Sequence, residues 1–221
     1  MRTAALIPAY REEKHIADVV HGTRRHVGHV LVVDDGSNDG TAAAATDAGA
    51  EVFRNPVNLG KGASLTLGLN RLFAEGYAAV VCLDADGQHL PDEIPRFLDV
   101  AERVDLVIGN RMMATGKMPR IRKWTNQSTS RIVSRLAGTP VSDVQCGFRL
   151  IRSEAWRGVV LKGRNYDLEA EMVVAMGRKG FRIAQVPVTA VYGNEKSAIR
   201  PMLDTWRFFS MVWRLWREGG A

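Results

Sequence analysis

Apolar residues recur with two alternating periods along residues 3–83. Residues 3–7, TAALI, form a short continuous apolar run that ends at Pro8-Ala9-Tyr10. Positions 12–26 carry Ile16, Val19 and Val20 at helical spacing. Residues 29–33 are a second apolar run, stopped by the polar cluster from Asp34 to Thr41. A helix over 42–48 and a third strand over 51–54 come next. Asn58-Leu59-Gly60-Lys61-Gly62 then opens a helix to about residue 75, and a fourth strand covers 79–83. Strands alternating with helices predict an α/β fold, a mainly parallel sheet flanked by helices. Ligands of such sheets collect at the carboxyl ends of the strands. The polar clusters at 8–12, 34–41 and 84–88 all fall on that edge.

The third cluster has the plainest chemistry. VVCLDADGQ at 80–88 runs an apolar strand into Asp84 and Asp86. Alternation with period two puts both side chains on one face. Two hard oxygen donors suit Mg²⁺ or Mn²⁺, bridged onward to phosphate oxygens. Asp35 offers a carboxylate to the N–H of uracil or guanine, while Pro8 and Tyr10 offer a wall for base and ribose. Gly60 and Gly62 allow backbone to approach a phosphate at a helix N-terminus, with Lys61 adding charge. Asp34 and Asp39 read as local caps. His89 could approach metal or phosphate, but a lone histidine beside a turn is more often structural.

The motifs IPAYREEKHI, VVDDGSNDGT, NLGKGAS, LDADGQH and DVQCGFRL together resemble the family-2 glycosyltransferases of GT-A fold, from residue 3 to about 192. The nearest subgroup is the polyprenyl- or dolichyl-phosphate glucosyl- and mannosyltransferases. That resemblance implies nucleotide-sugar binding by Pro8, Tyr10, Glu12 and Asp35. It implies metal and diphosphate binding by Asp84 and Asp86, with Gln88 near the donor sugar or metal. The implied reaction moves a hexose from a UDP- or GDP-linked sugar to polyprenyl or dolichyl phosphate, inverting the anomeric centre in one in-line displacement. A soluble or polysaccharide hydroxyl acceptor is the enzyme alternative. A non-catalytic sugar-nucleotide-binding or membrane-associated scaffold is the alternative of another class. Asp143, in DVQCGFRL, has three readings: a base, a group orienting an arginine, or a turn cap. Asp167 matches a family position near the active site, and Glu169 and Glu171 read as complements to a helix dipole.

Composition narrows the partners. The chain of 221 residues is 46% hydrophobic, enough for one domain with its own core. Residues 1–200 read as the catalytic domain, with a nucleotide half (1–90) and an acceptor half (91–200), followed by an amphipathic helix at 201–221. The chain enters a strand at once, with no sign of a signal peptide. Its two cysteines, Cys82 and Cys146, form neither a disulfide framework nor a metal spacing. A cytoplasmic protein, peripheral at the inner face of the cell membrane, is the resulting expectation. No apolar run approaches the ~20 residues of a membrane span.

The net charge is +6. Between residues 111 and 135 lie Arg111, Lys117, Arg120, Arg122, Lys123, Arg131 and Arg135, without an acidic residue. Arg111 and Arg131 are the candidates to hold an acceptor phosphate, because guanidinium grips two oxygens at once. Lys196, Ser197 and Arg200 read as a loop closing over diphosphate. From 201 to 217 a polar stripe (Asp204, Arg207, Ser210, Arg214, Arg217) is surrounded by apolar bulk that includes three of the five tryptophans. Such a helix suits a membrane interface. Docking on the domain, or on a second copy in a homodimer, gives the same pattern. Nucleic acid fits poorly, since apolar bulk rather than interleaved charge dominates.

Overall fold

The computed structural model describes residues 1–113, 120–189, 191 and 201–218, the side chains of 120–122 and 201–204 excepted. Among the described residues seven strands form one sheet in the order β3-β2-β1-β4-β6-β5-β7. They are β1 (Thr3–Ala9), β2 (Val30–Asp34), β3 (Glu51–Arg54), β4 (Ala79–Cys82), β5 (Leu106–Asn110), β6 (Arg149–Arg152) and β7 (Ile183–Pro187). The helices are α1 (Ile16–Arg24), α2 (Thr41–Asp47), α3 (Lys61–Ala74), α4 (Ile94–Leu98), α5 (Arg120–Ala137), α6 (Ser153–Arg157), α7 (Leu168–Arg178) and α8 (Pro201–Glu218).

The continuous apolar runs become strands covered on both faces. β2 and β4 are buried throughout, and β1 is buried from Ala4 onward. Leu65, Leu69, Leu72 and Phe73 of α3 and Ile16, Val19 and Val20 of α1 supply helical cover. The expected helix over 12–26 starts four residues late, at Ile16. Arg11 takes a left-handed φ of 59°, and the Glu12 N–H is bound by Thr41 Oγ1 at 2.8 Å, which holds 12–15 as a turn.

Strand direction decides where chemistry gathers. β1 runs parallel to β2 and β4, so all three end at one edge. β6 is antiparallel to both β4 and β5, so β5 is aligned with β4. The residue after β5, Arg111, therefore emerges at that edge, and β6 begins there, which brings residues 143–148 to it as well.

α8 lies against α5 and α7. Met211 and Leu215 are buried in that contact, with Phe208 and Val212 half-buried beside them. The polar stripe does not face solvent as a unit. Arg214 turns inward, and its Nη2 donates to buried Glu171 Oε1 at 2.8 Å. Trp206, Phe209, Trp213 and Trp216 lie opposite the docked side and are 68%, 56%, 60% and 61% exposed. Among the described residues no helix is long and apolar enough to cross a membrane.

Candidate active site

Two loops lace into one wall of the site. The Asp35 N–H donates to Ala9 O at 2.8 Å, and the Arg11 N–H to Ser37 Oγ at 2.9 Å. Asp34 Oδ1 accepts from the Ser37 N–H, and Asp39 Oδ1 from both the N–H and hydroxyl of Thr41, so these two carboxylates shape their own loop. Pro8 is buried at the end of β1, with Tyr10 39% exposed after it. The Arg11 guanidinium sits 5.0 Å from the Tyr10 ring centroid. Glu12 is half-buried.

Asp35 is nearly spent on structure. Its Oδ1 accepts from Asn55 Nδ2 at 2.8 Å and the Leu59 N–H at 2.9 Å, and its Oδ2 from the Gly60 N–H at 2.8 Å. A carboxylate oxygen takes about two donors. Oδ2 therefore keeps room for a single further N–H. The glycines of NLGKG play a different part from the one expected. A Cβ on Gly62 would stand 2.6 Å from Arg164 C and 2.7 Å from Asn165 O, and one on Gly60 2.6 Å from Arg164 O. The protein's own 164–165 backbone, rather than a phosphate, makes the close approach, and Arg164 O accepts the Ala63 N–H at 3.0 Å.

Asp84 stands at the centre of a charge cluster. Lys61 Nζ lies 2.6 Å from Asp84 Oδ1 and 3.0 Å from Glu169 Oε1. Burial alone would push the Asp84 carboxyl up. Lys61, with help from Arg111, holds it instead at about 2. Burial likewise opposes the charge on Lys61, and the two carboxylates overcome it and raise its pKa. Asp86 Oδ1 accepts the Gln88 N–H at 3.0 Å, which fixes the turn that places Gln88. Among the described residues no three His, Cys, Asp or Glu side chains form a metal cage. Asp84 and Asp86 fit a cation that takes its other ligands from phosphate and water. An ammonium already seated on Asp84 shows that this carboxylate accepts a cation.

His89 packs into the fold beside Asp84. It is buried, its Nδ1 accepts the Asp84 N–H at 3.2 Å, and its ring packs tilted against Phe148 with centroids 5.2 Å apart. Burial pushes its pKa down to about 4, so the ring is neutral. The Cys146 thiol, 4.0 Å from His89 Nε2, is pushed up to about 12 by burial.

Asp143 is fully buried and accepts four hydrogen bonds. Arg111 supplies its backbone N–H at 3.0 Å, Nε at 2.8 Å and Nη2 at 2.8 Å, and Asn126 Nδ2 supplies the fourth at 2.6 Å. Burial pushes the carboxyl up, but the bonds and charge of Arg111 prevail and lower its pKa. Such a group orients an arginine and is poorly suited to take a proton. Arg131 is not part of this arrangement. It is exposed on α5, away from the buried side of that helix that carries Asn126 and Ser130.

Three contributions escaped the sequence reading. Arg149, fully buried, donates to the carbonyls of Cys146, Glu169 and Val144, tying the 143–148 segment to the start of α7. Glu169 and Glu171, expected as complements to a helix dipole, are buried and face Lys61 and Arg214. Gly147 leaves room for the metal-type carboxylate, because a Cβ there would be 2.6 Å from Asp84 Oδ2. Asp167 caps its own turn by accepting the Asn165 N–H. Lys117, Lys196, Ser197 and Arg200 lie outside the described residues, as do the side chains of Arg120 and Arg122.

A sheet edge that gathers a two-carboxylate strand end, the 8–12 and 34–41 loops and the Arg111–Asp143 pair is an arrangement that fits a glycosyltransferase. Residues 4–159 match the family model described as Glycosyl transferase family 2, and the chain belongs to that family. It is 32% identical to undecaprenyl-phosphate mannosyltransferase of Micrococcus luteus, covering 86% of this chain and 84% of that one. It is 31% identical to polyprenol monophosphomannose synthase of Mycolicibacterium smegmatis, covering 85% and 77%. Its fold is similar to glucosyl-3-phosphoglycerate synthase of Mycobacterium tuberculosis in complex with Mg²⁺ and UDP. That match has a TM-score of 0.76 and 19% identity, over 96% of this chain and 78% of that one.

Proposed function

We propose that this glycosyltransferase moves a hexose from a nucleoside-diphosphate sugar to a polyprenyl phosphate, with inversion. The observation that carries the reading is the arginine locked by a buried carboxylate on the same sheet edge as the Asp84-x-Asp86 pair. A polyprenyl phosphate has a second pKa near ~6, so at pH 7 it is mostly an ionised nucleophile. It needs a cation to hold it more than a base to deprotonate it. Arg111, fixed by Asp143, is that cation. One phosphate oxygen forms the bond to the anomeric carbon, and the nucleoside diphosphate departs with the electron pair of the bond that breaks. Mg²⁺ or Mn²⁺ at Asp84 and Asp86 would neutralise the charge building on that leaving group. Asp84 is ionised at any physiological pH.

On the donor side Pro8, Tyr10 and Glu12 wall the nucleotide, Lys61 serves the diphosphate and Gln88 approaches the sugar. Asp35 reads the base with the one acceptor position left on Oδ2. Uracil offers a single imide N–H there, whereas guanine offers two adjacent donors. UDP-linked sugars therefore fit better than GDP-linked ones. The names of the two curated relatives, both acting on a prenol phosphate, support the acceptor class. The outward aromatic row of α8 supports access from a membrane surface, since Trp and Phe settle at the interface and cations flank them. Net charge +6 favours an anionic surface.

The test is transfer of labelled sugar into an organic-extractable product. Polyprenyl phosphate in anionic vesicles would be offered with Mn²⁺ and either UDP-glucose or GDP-mannose. Label from the UDP-sugar that vanishes with chelator and with Asp86→Ala is the expected result. Replacing Trp206, Phe209, Trp213 and Trp216 by serine should cut transfer to the vesicle acceptor while sparing a short, water-soluble prenyl phosphate. Transfer that is indifferent to chelator, or no transfer to any prenyl phosphate from either donor, would sink the reading.

A further inference from the structure

We propose that Lys61 is the resident counter-cation of Asp84, that it must leave this carboxylate before a divalent cation binds, and that Glu169 is the pivot on which it turns. The inference rests on the metal reading of Asp84 and concerns how that site is kept until the donor arrives.

The geometry sets up a competition for one oxygen. Lys61 Nζ is 2.6 Å from Asp84 Oδ1. A divalent cation at the usual ~2.1 Å from the same oxygen would crowd the ammonium with like charge. Both cannot stay. Glu169 is the place to which Lys61 retreats. Its Oε1 already holds the ammonium at 3.0 Å, and its Oε2 is buried with no hydrogen-bond partner among the described residues. An unpartnered buried carboxylate oxygen is costly unless some state of the protein supplies a donor. Lys61 carries three N–H donors, and leaving Asp84 makes one of them available to Oε2.

The anchors on either side are fixed, so motion is confined to the lysine stem. Gly60 and Ala63, flanking Lys61, are bound through their N–H groups to Asp35 and to Arg164 O. The Glu169 main chain is held by Arg149, whose Nη1 donates to Glu169 O at 2.8 Å. The Tyr166 ring, with its centroid 5.7 Å from Nζ, offers the swinging ammonium an aromatic face. The consequence is an order of events. Asp84 is shielded in the resting protein, and a cation arriving with a diphosphate succeeds where the cation alone does poorly, because the diphosphate offers the displaced lysine a new anion.

The experiment measures Mn²⁺ binding, read as loss of the free-ion electron paramagnetic resonance signal, without and with UDP. Lys61→Met should bind Mn²⁺ alone at least about ten-fold tighter than wild type, because a competing charge has gone. Glu169→Gln should bind Mn²⁺ alone more weakly, since it strips a carboxylate and leaves the lysine wholly on Asp84. The gain in Mn²⁺ affinity caused by UDP should be large in wild type and shrink in Lys61→Met. Lys61→Arg, which keeps the cation, should return most of the wild-type shielding, a rescue that a merely structural lysine would not predict. Thermal melts accompany each variant to set aside misfolded protein. Unchanged or weaker Mn²⁺ binding in Lys61→Met, or shifts in the same direction in both variants, would overturn the proposal. Wild-type protein that takes up no Mn²⁺ even with UDP, or uptake unaffected by Asp84→Asn, would instead overturn the metal reading and this inference with it.

Discussion

Asp143→Asn tests whether Arg111 is held as described. Asp143 Oδ1 receives Arg111 Nη2 and Asn126 Nδ2, and Oδ2 receives the Arg111 backbone N–H and Nε. An asparagine has one oxygen and one NH₂, so whichever way it turns, its NH₂ meets two donors. The charge opposite the guanidinium is lost as well. An exposed ion pair broken in this way costs under about 1 kcal/mol. A buried pair that loses one partner costs about 3–5 kcal/mol. Side-chain exposures of 18% for Arg111 and 0% for Asp143 put this pair in the second class. Urea unfolding at pH 7 should therefore show a loss of roughly 3 kcal/mol at unchanged m, and a Tm lower by about 6–12 °C for a chain of this size. Adding Arg111→Met should cost less than the sum of the two single changes, because the stranded guanidinium is gone. The pH dependence has a definite sign. The folded carboxyl titrates below its unfolded value, so its contribution is present above the unfolded pKa of ~3.9 and is lost as pH falls through the depressed folded value. The gap between wild type and Asp143→Asn should narrow accordingly in acid. A cost below about 1 kcal/mol, or strict additivity with Arg111→Met, would refute the reasoning.

His89 predicts a second acid limb. Its folded pKa of about 4 lies below the unfolded 6.5, so the unfolded chain takes up the proton first and stability falls as pH drops from 6.5 towards 4. The metal-free protein should lose up to about 3 kcal/mol across that window, and His89→Gln should flatten the limb in urea titrations. Gly147→Ala should act on the site more than on the fold. Its Cβ would meet Asp84 Oδ2 at 2.6 Å, so Mn²⁺–UDP binding measured by calorimetry should fall at least about ten-fold while the melting temperature moves by only a few degrees. A Gly147→Ala protein that binds Mn²⁺–UDP normally would mean that Asp84 is not where the ligand is held.

The nucleotide half was legible because its signals are local. The strands expected at 3–7, 29–33, 51–54 and 79–83 became β1 to β4 within two residues, and the loops between them carry the polar clusters. Periodicity and turn residues act over a few positions, so a single sequence records them. The sheet edge followed from topology alone. What stayed hidden depends on contacts between distant segments. Nothing near position 169 announces that Glu169 will face Lys61 across 108 positions of chain, nor that loop 164–165 will fill the space above Gly60 and Gly62. Arg149 was likewise invisible, since an arginine in an apolar strand is normally an edge residue, and here three carbonyls from two segments surround it.

α8 shows why composition could describe a helix without orienting it. Apolar residues occupy most of its circumference, so hydrophobicity does not decide which side packs inward. Charge decides. Glu171 is buried, and its Oε2 is already occupied by the Lys162 and Gly163 N–H groups, so Oε1 needs a cation. Arg214 supplies it. Once Arg214 points at α7, Met211 and Leu215 must follow it inward, and the helical repeat sends Trp206, Phe209, Trp213 and Trp216 to the opposite side. The same Glu171 holds the segment that covers the N-terminus of α3, where Lys61 begins. One buried carboxylate thus fixes both the face that α8 turns outward and the loop beside the diphosphate lysine. Glu171→Gln should loosen both together, weakening vesicle binding and Mn²⁺–UDP binding in a single variant. Loss of only one of the two, in a protein that melts normally, would show that the outward face and the lysine loop are set independently.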